Sequence, residues 1–228
     1  HPNILVVLTD DLNLDELSKM PHVRALVGDH GVTFTHAFVS VSLCCPSRAT
    51  ILRGQYSHNT GVLSNGGSNG GFEAAYGRGI ERSTIATWLQ DAGYRTGLFG
   101  KYLNGYPATA SDTYVPPGWS DFRSPTVGGN PYTEYGYVLN ENGTEVRYGS
   151  RPSDYGTTVY TRAATSLIRG AHRARRPFFV YLAPYAPHMP SVPAVQDRGK
   201  FPHGRAPRTA SYNERRVGDK PRWVRNTP

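Results

Sequence analysis

The side chains best suited to chemistry in this sequence are two adjacent cysteines, Cys44 and Cys45, which are the only cysteines in the chain. A disulfide between neighbouring residues is strained and rare, so the pair predicts no disulfide framework. The pair also lacks the Cys-x-x-Cys spacing that is usual in metal sites. The remaining interpretations are a chemical role for one thiol or two ordinary buried thiols.

The residues that follow the cysteines favour a chemical role. Pro46 to Leu52 predicts a helix that ends at Gly54, with proline in the first turn, where it is well tolerated. Cys44 therefore lies where backbone N–H groups and the helix dipole favour negative charge. Arg48, one turn into the helix, adds a guanidinium that can bind an oxyanion in bidentate fashion. The segment predicts a nucleophile beside an anion-binding site, and its alternative is a buried cysteine next to a helix cap.

The opening of the chain predicts a strand that positions further polar side chains. The run Asn3-Ile-Leu-Val-Val-Leu8 is typical of a strand buried on both faces, as in a parallel sheet covered by helices. In an open α/β sheet, ligands collect at the carboxyl ends of the strands. Asp10 and Asp11 come directly after this run, so we expect them to lie in the active-site crevice.

Strand-like and helix-like segments alternate along the chain, and their order predicts an α/β sandwich with a largely parallel sheet. Residues 104–154 are rich in Gly, Pro, Tyr and Ser and are predicted to form an excursion over the surface. The other predicted segments are an extended piece at Gly31–Phe38, a helix at Thr84–Ala92, a strand at Tyr94–Gly100 that leads to Lys101, a helix at Thr158–His172, and a buried strand at Phe178–Ala183 that leads to Pro187 and His188.

The net charge of +8 first suggests a polyanionic partner such as nucleic acid. Residues 193–228 hold nine Lys or Arg against three acids, so six of the eight positive charges fall in one Pro-rich stretch. No zinc-finger spacing, RNA-binding motif or basic helix accompanies them, which argues against nucleic acid. We expect residues 1–192 to belong to one domain, with a basic loop segment of the same domain at 193–228. No apolar run is long enough to predict a membrane span.

Four short motifs occur in order along almost the whole chain: Asn3-Ile-Leu-Val-Val-Leu-Thr-Asp-Asp11, Cys44-Cys-Pro-Ser-Arg48 followed by Ala-Thr-Ile-Leu-Arg-Gly54, Gly100-Lys101, and Ala186-Pro-His-Met-Pro190. Together they resemble the type I sulfatases, the formylglycine-dependent members of the alkaline-phosphatase superfamily. The resemblance implies that family's α/β fold, in which a largely parallel mixed sheet is sandwiched between helices.

The resemblance also implies a nucleophile and a metal site. In the family, the cysteine at the position of Cys44 is oxidised to formylglycine by the formylglycine-generating enzyme, and the formylglycine hydrate attacks the sulfate ester. Asp10 and Asp11, with the modified Cys44, would bind a hard divalent cation through oxygen ligands. The expected cation is calcium, with magnesium as the alternative. Capping of the next helix is the alternative role for one of the aspartates.

By the same resemblance, two cations and one histidine contact the sulfate group. Arg48 and Lys101 would neutralise the sulfate and the charge that develops during displacement. His188 would bind the sulfate or assist the leaving oxygen, because histidine exchanges protons near neutral pH. Without the motif match, His188 would be interpreted as a rigid-turn residue and Lys101 as a solvated surface residue.

Three segments resemble the N-acetylglucosamine-6-sulfatases and the related heparan-type enzymes: Cys44–Arg48, Gly100–Asn104 and Ser211–Trp223. This resemblance implies a 6-sulfated glucosamine in a glycosaminoglycan as the substrate, and a secreted, periplasmic or lysosomal location. The alternative is a structural branch of the family whose members cleave other sulfate esters.

The sequence differs from the family pattern in two places. Many sulfatases have a histidine two residues beyond the Gly-Lys lysine, whereas this chain has Leu103 followed by Asn104. Asn104 is expected to contact the substrate in its place, with His58 as another candidate. The family's later Asp-Asn pair and its further lysine do not occur after His188. We therefore expect an incomplete catalytic domain with weak metal binding, poor turnover and an unpaired sheet edge.

Two other functions remain open. A phosphonate or phosphate monoester hydrolase of the same superfamily can share the Cys-x-Pro-Ser-Arg element, and paired assays on aryl sulfate and aryl phosphate would separate it from a sulfatase. An inactive fragment that binds sulfated polysaccharide through residues 193–228 would instead show salt-sensitive heparin binding without hydrolysis.

Overall fold

A mixed six-stranded sheet forms the centre of the computed structural model, which describes residues 1–205, 208–210 and 212–226. The strands are β1 (Ile4–Val7), β2 (Arg95–Gly100), β3 (Asp121–Gly129), β4 (Tyr137–Glu141), β5 (Thr144–Tyr148) and β6 (Phe178–Ala183). Their order across the sheet is β1-β6-β2-β3-β4-β5. The pairs from β1 to β3 are parallel, and the two pairs from β3 to β5 are antiparallel. The predicted largely parallel mixed sheet is therefore confirmed.

Helices pack on both faces of this sheet. Within the described residues, the α-helices of His1–Val192 are α1 (Leu14–Leu17), α2 (Pro21–Val23, continued by a π-helix over Arg24–Gly28), α3 (Cys44–Arg53), α4 (Ser57–Thr60), α5 (Gly71–Gly77), α6 (Ile85–Asp91) and α7 (Gly156–Arg173). Helix α8 (Arg222–Arg225) belongs to a separate unit described below. On one face, Leu98 and Phe179 of the sheet pack in one cluster with Ala49 of α3. On the other face, Phe99 packs in a cluster with Leu167 of α7. The sheet is thus sandwiched between helices, as predicted.

The predicted helices on either side of the sheet are confirmed. Helix α3 ends at Gly54, whose φ of 63° lies in the left-handed region that glycine adopts without penalty. Helix α6 begins after Thr84, whose hydroxyl accepts a hydrogen bond from the Thr87 backbone in a capping box. Helix α7 covers the whole predicted segment and extends beyond it by two residues at the start and one residue at the end.

The prediction of a surface excursion over residues 104–154 is wrong, because β3, β4 and β5 lie there and widen the sheet. The glycines that suggested a loop mark a bulge instead. The register between β3 and β4 shifts between Pro125 and Gly129. A Cβ atom at Gly129 would lie 2.0 Å from the carbonyl oxygen of Gly136, so glycine is required for the close approach of the two strands.

Two further predictions near the start of the chain are also wrong. The segment Gly31–Phe38 forms no strand, and its side chains are exposed. Strand β1 is not buried on both faces, since Leu5 and Val7 are 52% and 56% exposed. Within the described residues β1 pairs only with β6, so it is an edge strand with one face against the core. An apolar run predicts a strand but does not reveal how many layers cover it.

Residues Pro193–Pro228 form a unit separate from His1–Val192. The described part of this unit contains a 3-10 turn at Val195–Asp197 and helix α8, and is otherwise irregular. Ser211, with which the late sulfatase-like segment begins, lies outside the described residues. That this unit is a loop segment of the same domain stays a prediction. In the described ranges, no helix combines the length and the apolar character that a bilayer crossing requires.

Candidate active site

The candidate site lies at the carboxyl ends of β1, β6 and β2, which are adjacent and parallel. Asp10 follows β1, Lys101 follows β2 directly, and His188 follows β6. The backbone N–H of Asp10 donates to the carbonyl oxygen of Ala186 at 3.3 Å, which joins the segments after β1 and β6. Parallel strands place their carboxyl ends at the same edge, so residues far apart in sequence meet here.

Both oxygens of the buried Asp10 carboxylate contact cations. Lys101 Nζ lies 2.6 Å from Oδ2, and Arg48 Nη2 lies 3.3 Å from Oδ1. Arg48 Nη1 also donates to the backbone carbonyl of Lys101 at 2.8 Å. All three side chains are at most 4% exposed. Buried charges are tolerated when they are paired, and this group carries one surplus positive charge that suits an anionic ligand.

The two cysteines differ in access. Cys44 is the first residue of α3 and is half-buried, whereas Cys45 is completely buried. Burial raises the pKa of the Cys45 thiol to about 11, so this thiol stays protonated at neutral pH. The Cys45 N–H donates to Asn65 Oδ1 at 2.8 Å, which satisfies one of the free N–H groups at the start of the helix. Cys44 is therefore the thiol that faces the site.

Asp10, Cys44 and His188 form a group that fits a divalent metal ion. Their ligand atoms, one from each side chain, all lie within 4.8 Å of one another. With an unmodified thiol the donors are oxygen, nitrogen and sulfur, a set softer than calcium prefers. Replacement of the Cys44 sulfur by oxygen, as in formylglycine, would give a harder set. This donor set therefore suits the predicted calcium ion better after Cys44 has been converted to formylglycine than before.

Asp11 lies beside this group. Its side chain is 58% exposed, and its Oδ2 lies 3.4 Å from His188 Nε2. His188 Nδ1 lies 2.7 Å from the Met189 carbonyl oxygen. A carbonyl only accepts, so Nδ1 carries the proton, and in the neutral ring Nε2 remains able to accept a proton or bind a metal. That Asp11 is a metal ligand stays a prediction.

Two cavities adjoin these residues. One of about 230 Å³ is lined by Asp10, Asp11, Cys44 and Arg48. The other, of about 130 Å³, is lined by Lys101 and Asn104. Asn104 Oδ1 is buried and has no hydrogen-bond partner among the described residues. That Asn104 contacts the substrate stays a prediction. His58 is the other candidate for the role of the family histidine. Its side chain is exposed, stacks on Tyr56 and lines neither cavity.

Sequence reasoning missed two tyrosines that pack around Lys101. Tyr132 lies in residues 131–134, a short turn between β3 and β4, and Tyr185 follows β6. The ring of Tyr132 lies 5.0 Å from Lys101 Nζ and 4.6 Å from the ring of His188. The ring of Tyr185 lies 5.6 Å from the same Nζ. These tyrosines carry no motif, and Tyr132 falls in the segment predicted to run over the surface. Only the spatial packing identifies them.

Known proteins resemble this chain in sequence. Human N-acetylglucosamine-6-sulfatase is 34% identical over 219 residues, which cover 93% of this chain and 39% of the relative. The extracellular sulfatase SULF-1 homologue of Drosophila melanogaster is 34% identical over 231 residues, which cover 98% of this chain and 20% of the relative. The chain thus spans well under half the length of these relatives.

A solved structure also resembles it. A protein in complex with its substrate D-glucosamine-2-N,6-O-disulfate has a TM-score of 0.72 and 24% identity, over 92% of this chain and 39% of that chain. An identity this low shows the fold alone, and the shared fold agrees with the predicted α/β architecture. A family model described as Sulfatase matches residues 2–215. With nearly all of its residues covered by that model, the chain belongs to the sulfatase family.

Proposed function

We propose that the protein is a sulfuric ester hydrolase in which Cys44, after conversion to formylglycine, is the nucleophile. The observation that carries this proposal is the meeting of Cys44, Asp10 and His188 within 4.8 Å, beside the ion-paired Arg48 and Lys101. A nucleophile position, a metal-binding group and an anion-binding pair lie at one sheet edge. These are the components that hydrolysis of a sulfate ester requires.

Arg48 and Lys101 bind the sulfate group in this proposal. A sulfate monoester carries one negative charge, which the surplus positive charge of the buried group can balance. Both cations are held in place before substrate arrives, since each contacts Asp10 and Arg48 also contacts the Lys101 carbonyl. Preorganised charges stabilise the transition state without the cost of reorienting solvent. Asn104, which lines the adjoining cavity, contacts the sugar in this proposal.

The hydrate of formylglycine explains why residue 44 must be modified. One hydroxyl oxygen attacks sulfur, the bond between sulfur and the alcohol oxygen breaks, and the alcohol leaves with a proton. The second hydroxyl then loses its proton, the carbonyl re-forms, and the carbon–oxygen bond to sulfate breaks. This elimination releases inorganic sulfate and regenerates the aldehyde. A serine or an unmodified cysteine has no second hydroxyl and could not release sulfate by this elimination.

A divalent metal would be held by Asp10 and the modified Cys44, with His188 in reach and Asp11 as the predicted further ligand. When bound, such an ion supplies positive charge that polarises a sulfate oxygen and lowers the pKa of the attacking hydroxyl. The expected ion is calcium, with magnesium as the alternative, because the converted site is rich in oxygen. His188 Nε2 exchanges a proton with the leaving oxygen or binds the sulfate.

The proposed substrate is a 6-sulfated glucosamine within a glycosaminoglycan. Two observations support this choice. The chain is 34% identical to human N-acetylglucosamine-6-sulfatase, and its fold matches a protein solved with a sulfated glucosamine substrate. The extracellular relative supports a secreted, periplasmic or lysosomal location. Maturation would require a formylglycine-generating enzyme as a partner.

Paired assays on aryl sulfate and aryl phosphate test the proposed reaction. We expect slow hydrolysis of the aryl sulfate that is lost in Cys44→Ala and retained in Cys45→Ala, the matched change at the neighbouring thiol. Faster hydrolysis of the phosphate would favour a phosphate or phosphonate monoester hydrolase. Sulfate hydrolysis that survives Cys44→Ala would refute the nucleophile assigned here.

A further inference from the structure

The turn over residues 131–134 contacts the candidate site from a part of the chain that carries no sulfatase motif. We infer that this turn is a positioning element for the site: Tyr132 holds Lys101 and His188, and Glu134 fixes the turn to the start of α7. The inference rests on the proposed function in so far as Lys101 and His188 act on the sulfate group.

Tyr132 contacts both of these residues with one ring. Lys101 Nζ lies over the ring at 5.0 Å from its centroid, within the range of a cation–π contact. The His188 ring lies 4.6 Å from the same centroid at an angle of 53°. Tyr185 supports the ring from another side, at 4.8 Å and 81°. The ring therefore fills the space between a cation and a histidine that come from two different strands.

Glu134 anchors this turn in the interior. Its side chain is 2% exposed, and its Oε2 accepts hydrogen bonds from the backbone N–H of Thr157 at 2.6 Å and from the Thr157 hydroxyl at 2.9 Å. The backbone carbonyl of Glu134 also accepts from the Gly156 N–H at 2.9 Å. The turn is thereby attached to the first residues of α7. A Cβ at Gly156 would lie 3.0 Å from Oε2, so a larger residue there would require the Glu134 side chain to shift.

Only one oxygen of this carboxylate is hydrogen-bonded. Oε1 is buried and has no hydrogen-bond partner among the described residues, so the Thr157 contacts of Oε2 are what hold the side chain. The backbone of the same residue is also constrained. Glu134 has a φ of 64°, which is uncommon for a residue other than glycine and persists where surrounding contacts determine the backbone.

This arrangement favours a positioning role over simple packing. A buried carboxylate is costly unless its hydrogen bonds are satisfied, and an apolar residue could fill the same volume. The hydrogen bonds that Glu134 makes hold the turn on the start of α7, and Tyr132 of the same turn contacts Lys101 and His188. Loss of the turn would leave Lys101 and His188 with fewer contacts to fix their side chains. Small displacements of such groups lower the rate of a reaction strongly.

Variants of two neighbouring tyrosines test this role. Tyr132→Leu removes the ring, whereas Tyr132→Phe keeps it. Tyr135→Leu is the matched control, because Tyr135 lies next to the same turn but packs on Tyr155. Lys101 accessibility is measured by acetylation with an N-hydroxysuccinimide ester and peptide mass spectrometry. We expect several-fold faster acetylation of Lys101 in Tyr132→Leu, and wild-type rates in Tyr132→Phe and Tyr135→Leu.

Glu134→Ala provides a second variant in case Tyr132→Leu does not fold. It removes the acceptor of both Thr157 hydrogen bonds, so Lys101 acetylation should rise here as well. In aryl sulfate assays we expect kcat/KM to fall about tenfold in Tyr132→Leu and to change little in Tyr135→Leu. Unchanged Lys101 acetylation in both Tyr132→Leu and Glu134→Ala would overturn the inference. A wild-type protein without sulfatase activity would refute the proposed function, while the acetylation comparison would still decide the positioning role.

Discussion

Lys101 Nζ lies 2.6 Å from Asp10 Oδ2, although the two residues are 91 positions apart and both are almost completely buried. Arg48 binds the other oxygen of the same carboxylate from α3. One carboxylate thus joins the ends of two parallel strands to the helix that carries the cysteines. The contact orients the cations that would bind sulfate and the carboxylate that would bind the metal.

Removal of the Lys101 ammonium should destabilise the fold. Lys101→Met keeps the apolar stem but leaves Asp10 with Arg48 alone, at 3.3 Å. We expect the free energy of unfolding to fall by about 3 kcal/mol, because a broken buried ion pair leaves charge uncompensated. Urea unfolding measures this change. Lys200→Met, which removes a solvent-exposed pair with Asp197, should cost less than about 1 kcal/mol. Equal losses of unfolding free energy in the two variants would show that the buried ion pair contributes no more to stability than the exposed one.

The two thiols should react at different rates. In protein made without a formylglycine-generating enzyme, iodoacetamide should alkylate Cys44 and spare Cys45, because Cys45 is completely buried and its pKa is raised to about 11. Peptide mass spectrometry after brief labelling measures the ratio. In urea both thiols should react at similar rates, which provides the control. Similar rates in the folded protein would contradict the access that the structure assigns to each thiol.

Glu81 should make stability depend on pH. Its carboxylate accepts hydrogen bonds from the hydroxyls of Tyr102 at 2.7 Å and Tyr114 at 3.3 Å, and burial raises the pKa of this carboxyl above its ordinary value of 4.5. The folded state therefore binds this proton more tightly than the unfolded state does. The resulting stabilisation is complete below the unfolded pKa and is lost as pH rises through the folded pKa.

Urea unfolding of Glu81→Gln across pH 4 to 8 tests this dependence. As pH rises above 4.5, the wild type should lose stability relative to Glu81→Gln. Glu73→Gln, which removes an exposed carboxylate from α5, should follow the wild-type curve. If the curves of wild type and Glu81→Gln stay parallel over the whole range, the buried carboxyl does not titrate as assigned.

The exposed face of β1 should promote self-association. Leu5 and Val7 are more than half exposed on an edge strand, whereas Ile4 and Val6 pack against the core. Leu5→Thr with Val7→Thr should reduce light scattering of concentrated protein and change the free energy of unfolding by about 0.5 kcal/mol or less. Ile4→Thr with Val6→Thr, the matched change on the other face, should destabilise the fold. Unchanged scattering in the first variant would exclude this face as the cause of association.

Local sequence patterns predicted most of what surrounds the cysteines. Pro46 lies in the first turn of α3 and Gly54 follows its last residue, and the apolar spacing in Thr158–His172 predicts α7, because both signals act within a few turns. The sequence also predicted Asp10, Lys101 and His188 as members of one site, through their motifs. That they meet at one sheet edge depends on strand order, which no local pattern contains.

The features that were missed depend on contacts between distant segments. Gly129 lies in a segment whose composition predicts a loop, but its lack of a Cβ permits the bulge beside β4. The exposure of Val7 depends on what covers β1, and the role of Tyr132 depends on its distance to Lys101 and His188. None of these relationships leaves a periodic signal in the sequence, because each is fixed by packing across the sheet.

The mass of the peptide that contains Cys44, isolated from protein made in its own host, tests the central claim most directly. The proposed function predicts that the thiol has been replaced by an aldehyde or its hydrate, while Cys45 in the same peptide keeps its thiol. An unmodified Cys44 in well-folded protein would mean that the nucleophile had not been formed. That result would contradict the assignment of this site as a formylglycine-dependent sulfatase centre.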